Sequence, residues 1–450
     1  MWRRMLMGIS ARCLRWFYRE QRVVHAERMP ATGPVLFVGN HPNDLPDVLF
    51  GFLATPRPVR YLATVAAATG WLAGKSYQWL GVIPVARLRD VRKMQAAGAD
   101  VVAINRAATD AVASALAAGQ VVGAFPEGGV RDVCSLADFK TGVASMLLKY
   151  IDAGTTNDVT VVPFGIQYEA PRTFGSDVVT VLGHPFSLRD WQRAQPADGS
   201  GAAALTRALW QAVHDVTRNA PNWEVARQRD ELVAAVAAVL APTDPLAAAP
   251  TFVPRAERAL ADLSSVVVAD VNQIERLVAA SALLAQAVER AGGIGTSAVD
   301  HARLLFALDL STHPAPPPTA VLWLGGPAAA IGAVVHAPAF WVVHQLARRL
   351  AKARADVVAL SFVPGLFVIL AGYALTGFAL LFALNDRGMS WWWSLPVLFM
   401  LPKFGDLMIA WRAGFAARRL VRRVRSWSSA ECAALRDAAA VIRAEWGRLR

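Results

Sequence analysis

From Pro34 to about Leu182, short runs rich in β-branched and aromatic residues (PVLFVG, VRYLATV, GVIPVA, VVGAF, VTVVPFGI and VVTVLG) recur between helical stretches such as INRAATDAVASALAAG and FKTGVASMLLKYIDAG. Parallel strands need long crossovers, and helices in those crossovers cover the faces of the sheet. The alternation therefore predicts an α/β fold with a largely parallel or mixed sheet flanked by helices. Chemistry then belongs in the loops that follow strands. A helical tail runs to about Leu240, and Pro-containing stretches, APTDPLAAAPTFVP and THPAPPPT, bracket a segment that reads as a helical hairpin. At 450 residues the chain exceeds what one hydrophobic core organises.

The last third changes solvent. Thr319 to Val343 is apolar except for His336, Asp356 to Leu384 contains a long apolar core, and Ser390 to Trp411 is apolar apart from Lys403 and Asp406. Each approaches the roughly 20 residues that cross a bilayer. Hydrophobic residues make up 55% of the chain and its formal net charge is +12, a pairing suited to an anionic bilayer. Nucleic acid is not the expected partner, because the basic residues sit beside apolar runs instead of on a polar aromatic surface. Arg348, Arg349, Lys352 and Arg354 follow the first segment, and Arg412, Arg418, Arg419, Arg422, Arg423 and Arg425 follow the third. By the positive-inside tendency the second and third segments form a transmembrane hairpin with both ends cytoplasmic. The first, interrupted by Gly325-Gly326-Pro327 and by Pro338, reads as a re-entrant or interfacial helical pair. His336 and His344 read as interface histidines and His184 as a loop histidine.

At the other end, Trp2, Leu6, Ile9, Cys13, Trp16 and Phe17 recur at three-and-four spacing among Arg3, Arg4, Arg12, Arg15 and Arg19. This is an amphipathic helix, lying either in a membrane interface or on its own domain. Cys13, Cys134 and Cys432 are far apart and odd in number, which gives neither a disulfide framework nor a metal-ligand pair and points to a reducing compartment.

The stretch FVGNHPNDLPDVLFGF follows the first strand and sets His41 ahead of Asp44 and Asp47. One reading is structural: Asp44 caps the helix LPDVLFGFLA, Pro46 stands in its first turn, and Asp47 favours the positive end of the helix dipole. The other makes His41 a base held by a neighbouring acid. Three more junctions follow in order: WLGVIPVARLRD with Arg87, FPEGGVRD with Glu127, Gly128, Gly129 and Arg131, and VVPFGIQYEA with Pro163.

The order NHPNDLPD, GVIPVAR, FPEGG, VVPFGIQY resembles the blocks of the glycerophospholipid acyltransferases, the phospholipid and glycerol acyltransferase family. FPEGGVRD followed by Phe139-Lys140-Thr141-Gly142 is most similar to the fungal-type glycerol-3-phosphate and dihydroxyacetone-phosphate acyltransferase subgroup. The resemblance covers roughly Pro34 to Leu182. It implies an acyltransferase-type mixed sheet and transfer of a fatty acyl group from acyl-CoA, or acyl carrier protein, to a hydroxyl of glycerol-3-phosphate or dihydroxyacetone phosphate. The 1-acylglycerol-3-phosphate acceptor is the runner-up, and a non-enzymatic lipid transporter or scaffold with a degenerate domain is the alternative of another class. No cofactor and no metal are implied. Under the resemblance His41 is the base and Asp47 its orienting acid, while Arg87 neutralises the acceptor phosphate with Lys140 and Arg131. Gly128 and Gly129 admit backbone N–H groups, Glu127 belongs to the acceptor site, receiving a free hydroxyl or orienting Arg87, and Pro163 shapes the acyl-side wall. The family's usual gap is four residues. Here five separate His41 from Asp47, and one extra residue rotates a helical side chain by about 100°. The pair cannot sit on one regular helix, and Asp44 stays a competitor for the histidine.

The expected organisation is an amphipathic interfacial helix at 1–30, the catalytic domain at 31–240, a helical accessory segment at 241–318, a membrane region at 319–411 and a basic amphipathic helix at 412–450. The catalytic domain is expected on the cytoplasmic side, with membrane lipids, the acyl donor and a glycerol-phosphate acceptor as partners.

Overall fold

Strand β2 (Val35–Gly39) is buried along its whole length and lies in the interior of the sheet, as expected of an apolar run with no polar alternation. Around it the order is β1 (Gln21–Val24), β7 (Val178–Leu182), β6 (Thr160–Tyr168), β2, β5 (Val121–Ala124), β3 (Val59–Thr64) and β4 (Ile83–Val85), with β8 (Phe186–Ser187) also paired to β6. From β6 to β4 neighbouring strands are parallel, whereas β7 and β8 run antiparallel to β6. The sheet is mixed and flanked by helices. The structure is a computed structural model and describes residues 20–65, 81–87, 90–130, 134–155, 157–169, 176–195, 201–240, 271–293, 298–310, 326–350, 356–387 and 394–448. It also describes residues 8, 11, 12, 14, 15, 17, 18, 295, 390 and 392.

Alternation along the strands separates two faces. Leu36, Val38, Val122, Ala124 and Val161 pack against α3 (Val101–Ala117), α4 (Gly142–Asp152) and α6 (Ala202–His214), which follow α1 (Leu45–Leu53) and α2 (Val91–Ala96) and enclose α5 (Leu188–Ala194). The opposite face is aromatic. Phe37 stacks on Phe164, Phe125 stacks on Tyr61, and Phe52 of α1 meets the Tyr61 edge. A Cβ on Gly39 would lie inside the Phe164 ring, so glycine lets β2 end against β6 at that point.

β2 is also where the connections part. The chain leaves it through α1 toward β3 on one side, then returns from β5 through α4 to β6 on the other. Such a divergence opens a crevice at the carboxyl ends of the strands.

One finding departs from the sequence expectations here. Gln21–Val24, inside the stretch expected to be helical, forms edge strand β1 beside β7. Four residues are too short to show a period. Leu14 and Tyr18, from the same stretch, are fully buried, and Tyr18 meets Phe50 and Tyr168. Trp2, Leu6, Ile9, Cys13 and Trp16 lie outside the described residues.

The chain divides into two compact units, Met1–Ala220 with Ala351–Ala359, and Pro221–Leu350 with Leu360–Arg450. The second is helical: α7 (Trp223–Val239), α8 (Val271–Arg290), α9 (Ala298–Leu310), α10 (Gly326–Leu350), α11 (Asp356–Asp386), α12 (Ser394–Arg425) and α13 (Ser429–Arg448). Leu232, Leu284, Leu304, Val424, Ile442 and Trp446 form a shared core of α7, α8, α9, α12 and α13. The expected hairpin at 257–293 is described only from residue 271, where it is the single helix α8.

Among the described residues two stretches are long and apolar enough to cross a membrane, Gly326–Ala347 and Val368–Asp386. The third apolar segment falls on α12. Val334, Leu375, Phe378, Phe382 and Phe399 project from these helices, each at least 71% exposed. The helical pair expected around Pro338 is instead one helix, α10, which runs through that proline. Proline removes one i to i−4 bond but does not by itself end a helix held by a neighbour, here α12. His336 is buried. It is 1% exposed, with Nδ1 on the Gly332 carbonyl (2.8 Å) and Nε2 on the Tyr373 hydroxyl (2.9 Å), which ties α10 to α11.

Candidate active site

His41, Arg87 and Glu127 all follow carboxyl ends of parallel strands: β2, β4 and β5 respectively. His41 is held on several sides. Its ring stacks on Phe125 with centroids 4.4 Å apart and planes 11° from parallel, and Phe125 in turn stacks on Tyr61 at 5.3 Å. Its backbone N–H donates to Glu127 Oε1 at 2.6 Å. Just before it, the Asn40 amide exchanges two hydrogen bonds with the Ile166 backbone (2.7 and 3.0 Å), extending the β2–β6 ladder past Gly39.

His41 Nδ1 lies 2.9 Å from Asp47 Oδ2. The carboxylate only accepts, so the proton of the neutral ring is on Nδ1 and the lone pair on Nε2. Asp47 has no exposed surface, and it also accepts from the Asn43 N–H (2.6 Å to Oδ2) and the Tyr168 hydroxyl (2.5 Å to Oδ1). The five-residue gap is absorbed outside the helix. α1 begins at Leu45, and Asp44 before it takes φ 57° and ψ −126°, a corner that L-residues rarely adopt. This turn swings Asp47, the third helical residue, back under the imidazole. Asp44 occupies the N-cap position yet makes no side-chain cap bond. In a capping box the third residue reaches back to the N-cap N–H. Asp47 reaches one residue further, to Asn43.

Burial pulls the His41 pKa down. The Asp47 hydrogen bond and charge, with the charges of Asp44 and Glu127, more than offset this, and the ring titrates above its ordinary 6.5. Burial likewise pushes Glu127 above 4.5, against the two N–H bonds it accepts and the proximity of His41.

Glu127 Oε2 takes the Ala137 N–H at 3.3 Å, so its hydrogen bonds are to backbone and not to Arg87. Arg87 instead donates from Nε to Asp90 (2.8 Å) and from Nη1 to the Gly128 carbonyl (3.4 Å), and remains about a quarter exposed. Gly128 and Gly129 adopt φ 74° and 150°, the glycine-favoured region, in the turn after Glu127. The Lys140 N–H donates to the Pro126 carbonyl, which places its exposed side chain beside Gly128. Arg131 lies outside the described residues.

Pro163 is in an interior strand, paired with Val38. Its carbonyl accepts from the Gly183 N–H, so its backbone edge faces the gap where β7 ends and β8 has yet to begin. A missing N–H there breaks no ladder.

Phe125, Tyr61, Asn40, Asn43, Tyr18 and Tyr168 were not foreseen as site residues. Tyr168 closes VVPFGIQY, and only the β2–β6 register brings it to Asp47.

A protein-family profile described as Acyltransferase matches residues 21–167. The chain is 33% identical over 105 residues to the glycerol-3-phosphate O-acyltransferase 2 of Saccharomyces cerevisiae, covering 23% of this chain and 14% of that protein. It is 38% identical over 73 residues to glycerol-3-phosphate O-acyltransferase 1 of the same yeast, covering 16% and 10%. It thus spans about a seventh or less of the length of these relatives. Among solved structures, the 1-acyl-sn-glycerophosphate (LPA) acyltransferase from Thermotoga maritima aligns over 47% of this chain and 78% of its own, at 18% identity and a TM-score of 0.34. Residues 21–167 are thus similar to the acyltransferase family.

Proposed function

We propose that the first unit transfers a fatty acyl group from acyl-CoA or acyl carrier protein to a hydroxyl of glycerol-3-phosphate or dihydroxyacetone phosphate. The observation that carries this reading is the His41–Asp47 pair, 2.9 Å apart at the carboxyl end of β2. His41 Nε2 takes the hydroxyl proton as the acceptor oxygen attacks the thioester carbonyl. Asp47 stabilises the imidazolium, and the proton is then delivered to the departing thiolate. The acceptor supplies the nucleophile, so no enzyme nucleophile is needed. Arg87 and Lys140 supply positive charge beside the glycine turn for the acceptor phosphate. Glu127 fixes the His41 main chain and the 137 loop, which makes it a support of the acceptor site more than a contact in it. No cofactor enters this chemistry.

The test is an assay of the purified protein offering glycerol-3-phosphate, dihydroxyacetone phosphate and 1-acylglycerol-3-phosphate separately with labelled acyl-CoA. Arg87→Ala is expected to raise the acceptor KM about tenfold with a smaller change in kcat, as loss of ground-state phosphate binding would. An unchanged acceptor KM removes Arg87 from phosphate recognition. Because the base acts as neutral imidazole, kcat/KM should fall as pH drops through a midpoint above 6.5, the direction in which its neighbours move His41. A profile flat from pH 6 to 8 contradicts this.

The exposed apolar residues of α10, α11 and α12 suit embedding in a bilayer, with Arg419, Arg422, Arg423 and Arg425 at the cytoplasmic side and the first unit facing the same compartment. Thiol labelling of a cysteine introduced near residue 140, in sealed vesicles, reports the side. Labelling only from the opposite side reverses the topology.

A further inference from the structure

We propose that Tyr168 is a positioning residue for acyl transfer, its hydroxyl fixing the Asp47 carboxylate that in turn orients the His41 ring. This rests on the reading of His41 as the base. Asp47 Oδ1 receives Tyr168 and Oδ2 receives both the Asn43 N–H and His41 Nδ1. Donors on both oxygens leave the carboxylate plane no freedom to turn away from the ring. The Tyr168 contact, at 2.5 Å, has the length of a charge-assisted O–H···O bond. Burial and the Asp47 charge push the phenol pKa well up, so the hydroxyl stays protonated and donates.

A packing role alone would be met equally by phenylalanine. What the hydroxyl adds is a donor to a carboxylate that has no exposed surface and so no water to replace it. The strand bearing Tyr168 is registered to the base as well. Asn40, adjacent to His41, grips Ile166, two residues before Tyr168. Tyr18 braces the other side, its ring 5.6 Å from Tyr168 and its hydroxyl accepting from the Asn43 amide at 2.8 Å. The N-terminal segment is thereby part of the site. The other titratable groups facing the pair are Asp44 from its own loop, Glu127 from the turn after β5 and Tyr61 from β3.

The test compares full-length wild type, Tyr168→Phe, Tyr18→Phe, His41→Ala and the Tyr168→Phe/His41→Ala double variant, each assayed below its own melting temperature. Tyr168→Phe should lower kcat about tenfold and leave the acceptor KM within about twofold. It should also move the acid limb of the pH profile upward, because a carboxylate short of one donor holds the His41 proton more tightly. Tyr18→Phe should act in the same direction and less. The double variant should be no slower than His41→Ala alone. If Tyr168→Phe keeps the wild-type kcat, or loses kcat with the acid limb unmoved, Tyr168 only packs and the proposal is overturned while the base assignment stands. An active His41→Ala enzyme overturns both.

Discussion

His41→Ala is expected to lower kcat by about two to four orders of magnitude while the protein keeps its melting temperature within a few degrees. The size follows from what the ring supplies in the proposed reaction. Without a base, the acceptor hydroxyl must attack the thioester with its proton still on, and the departing thiolate loses its donor. Folding should survive because the ring is partly exposed, at 14%, and the backbone N–H bond to Glu127 does not need the side chain. Truncation leaves the Phe125 face uncovered, a local loss. Near-wild-type acyl transfer by the folded variant would sink the assignment, and loss of folding together with activity would call for the same measurement on His41→Gln.

Asp47→Asn should cost nearly as much, about two to four orders of magnitude in kcat, for a different reason. Asp47 faces three donors and is itself purely an acceptor. Asparagine brings one oxygen and one N–H₂. If the oxygen meets the Asn43 N–H and the His41 side, the N–H₂ confronts the Tyr168 hydroxyl. If it turns over, His41 must take the tautomer with its proton on Nε2, the atom that has to accept one. Either arrangement also leaves buried polar groups mismatched, worth about 1–3 kcal/mol of stability. Steady-state kinetics with a thermal melt checks both, and an asparagine variant turning over at the wild-type rate would make the carboxylate charge irrelevant.

The six β-rich runs of the sequence all became strands, because each is a short run rich in β-branched and apolar residues. β1 and β8 escaped for want of length, and neither carries a site residue. His41, Arg87 and Glu127 were legible from their places after strands. Their mutual wiring was not. Glu127 looked like a partner for a substrate hydroxyl or for Arg87, and it proved to be the acceptor for two main-chain N–H groups. Such bonds depend on how two loops 86 residues apart close on each other, which no local pattern encodes. Tyr168 and Asp47 are likewise 121 residues apart. Pro163 lies in the interior at a change of partner strand, a position that depends on where β7 stops. In the second unit, apolar content was readable and helix continuity was not. Pro338 signals a break only where no neighbour holds the helix.

The corner at Asp44 has a consequence for how such chains are recognised. A search pattern that demands a histidine, four residues and an aspartate passes over this one, although the finished distance is 2.9 Å. What the chemistry requires is an acid on the first turn of the helix and any linker that can fold back to it. One left-handed corner converts a misfit of one residue into the same juxtaposition. Glycine at position 44 should fit that corner without strain, so linker length and linker composition are exchangeable currencies for a designer who wishes to move a histidine along a strand end without losing its acid.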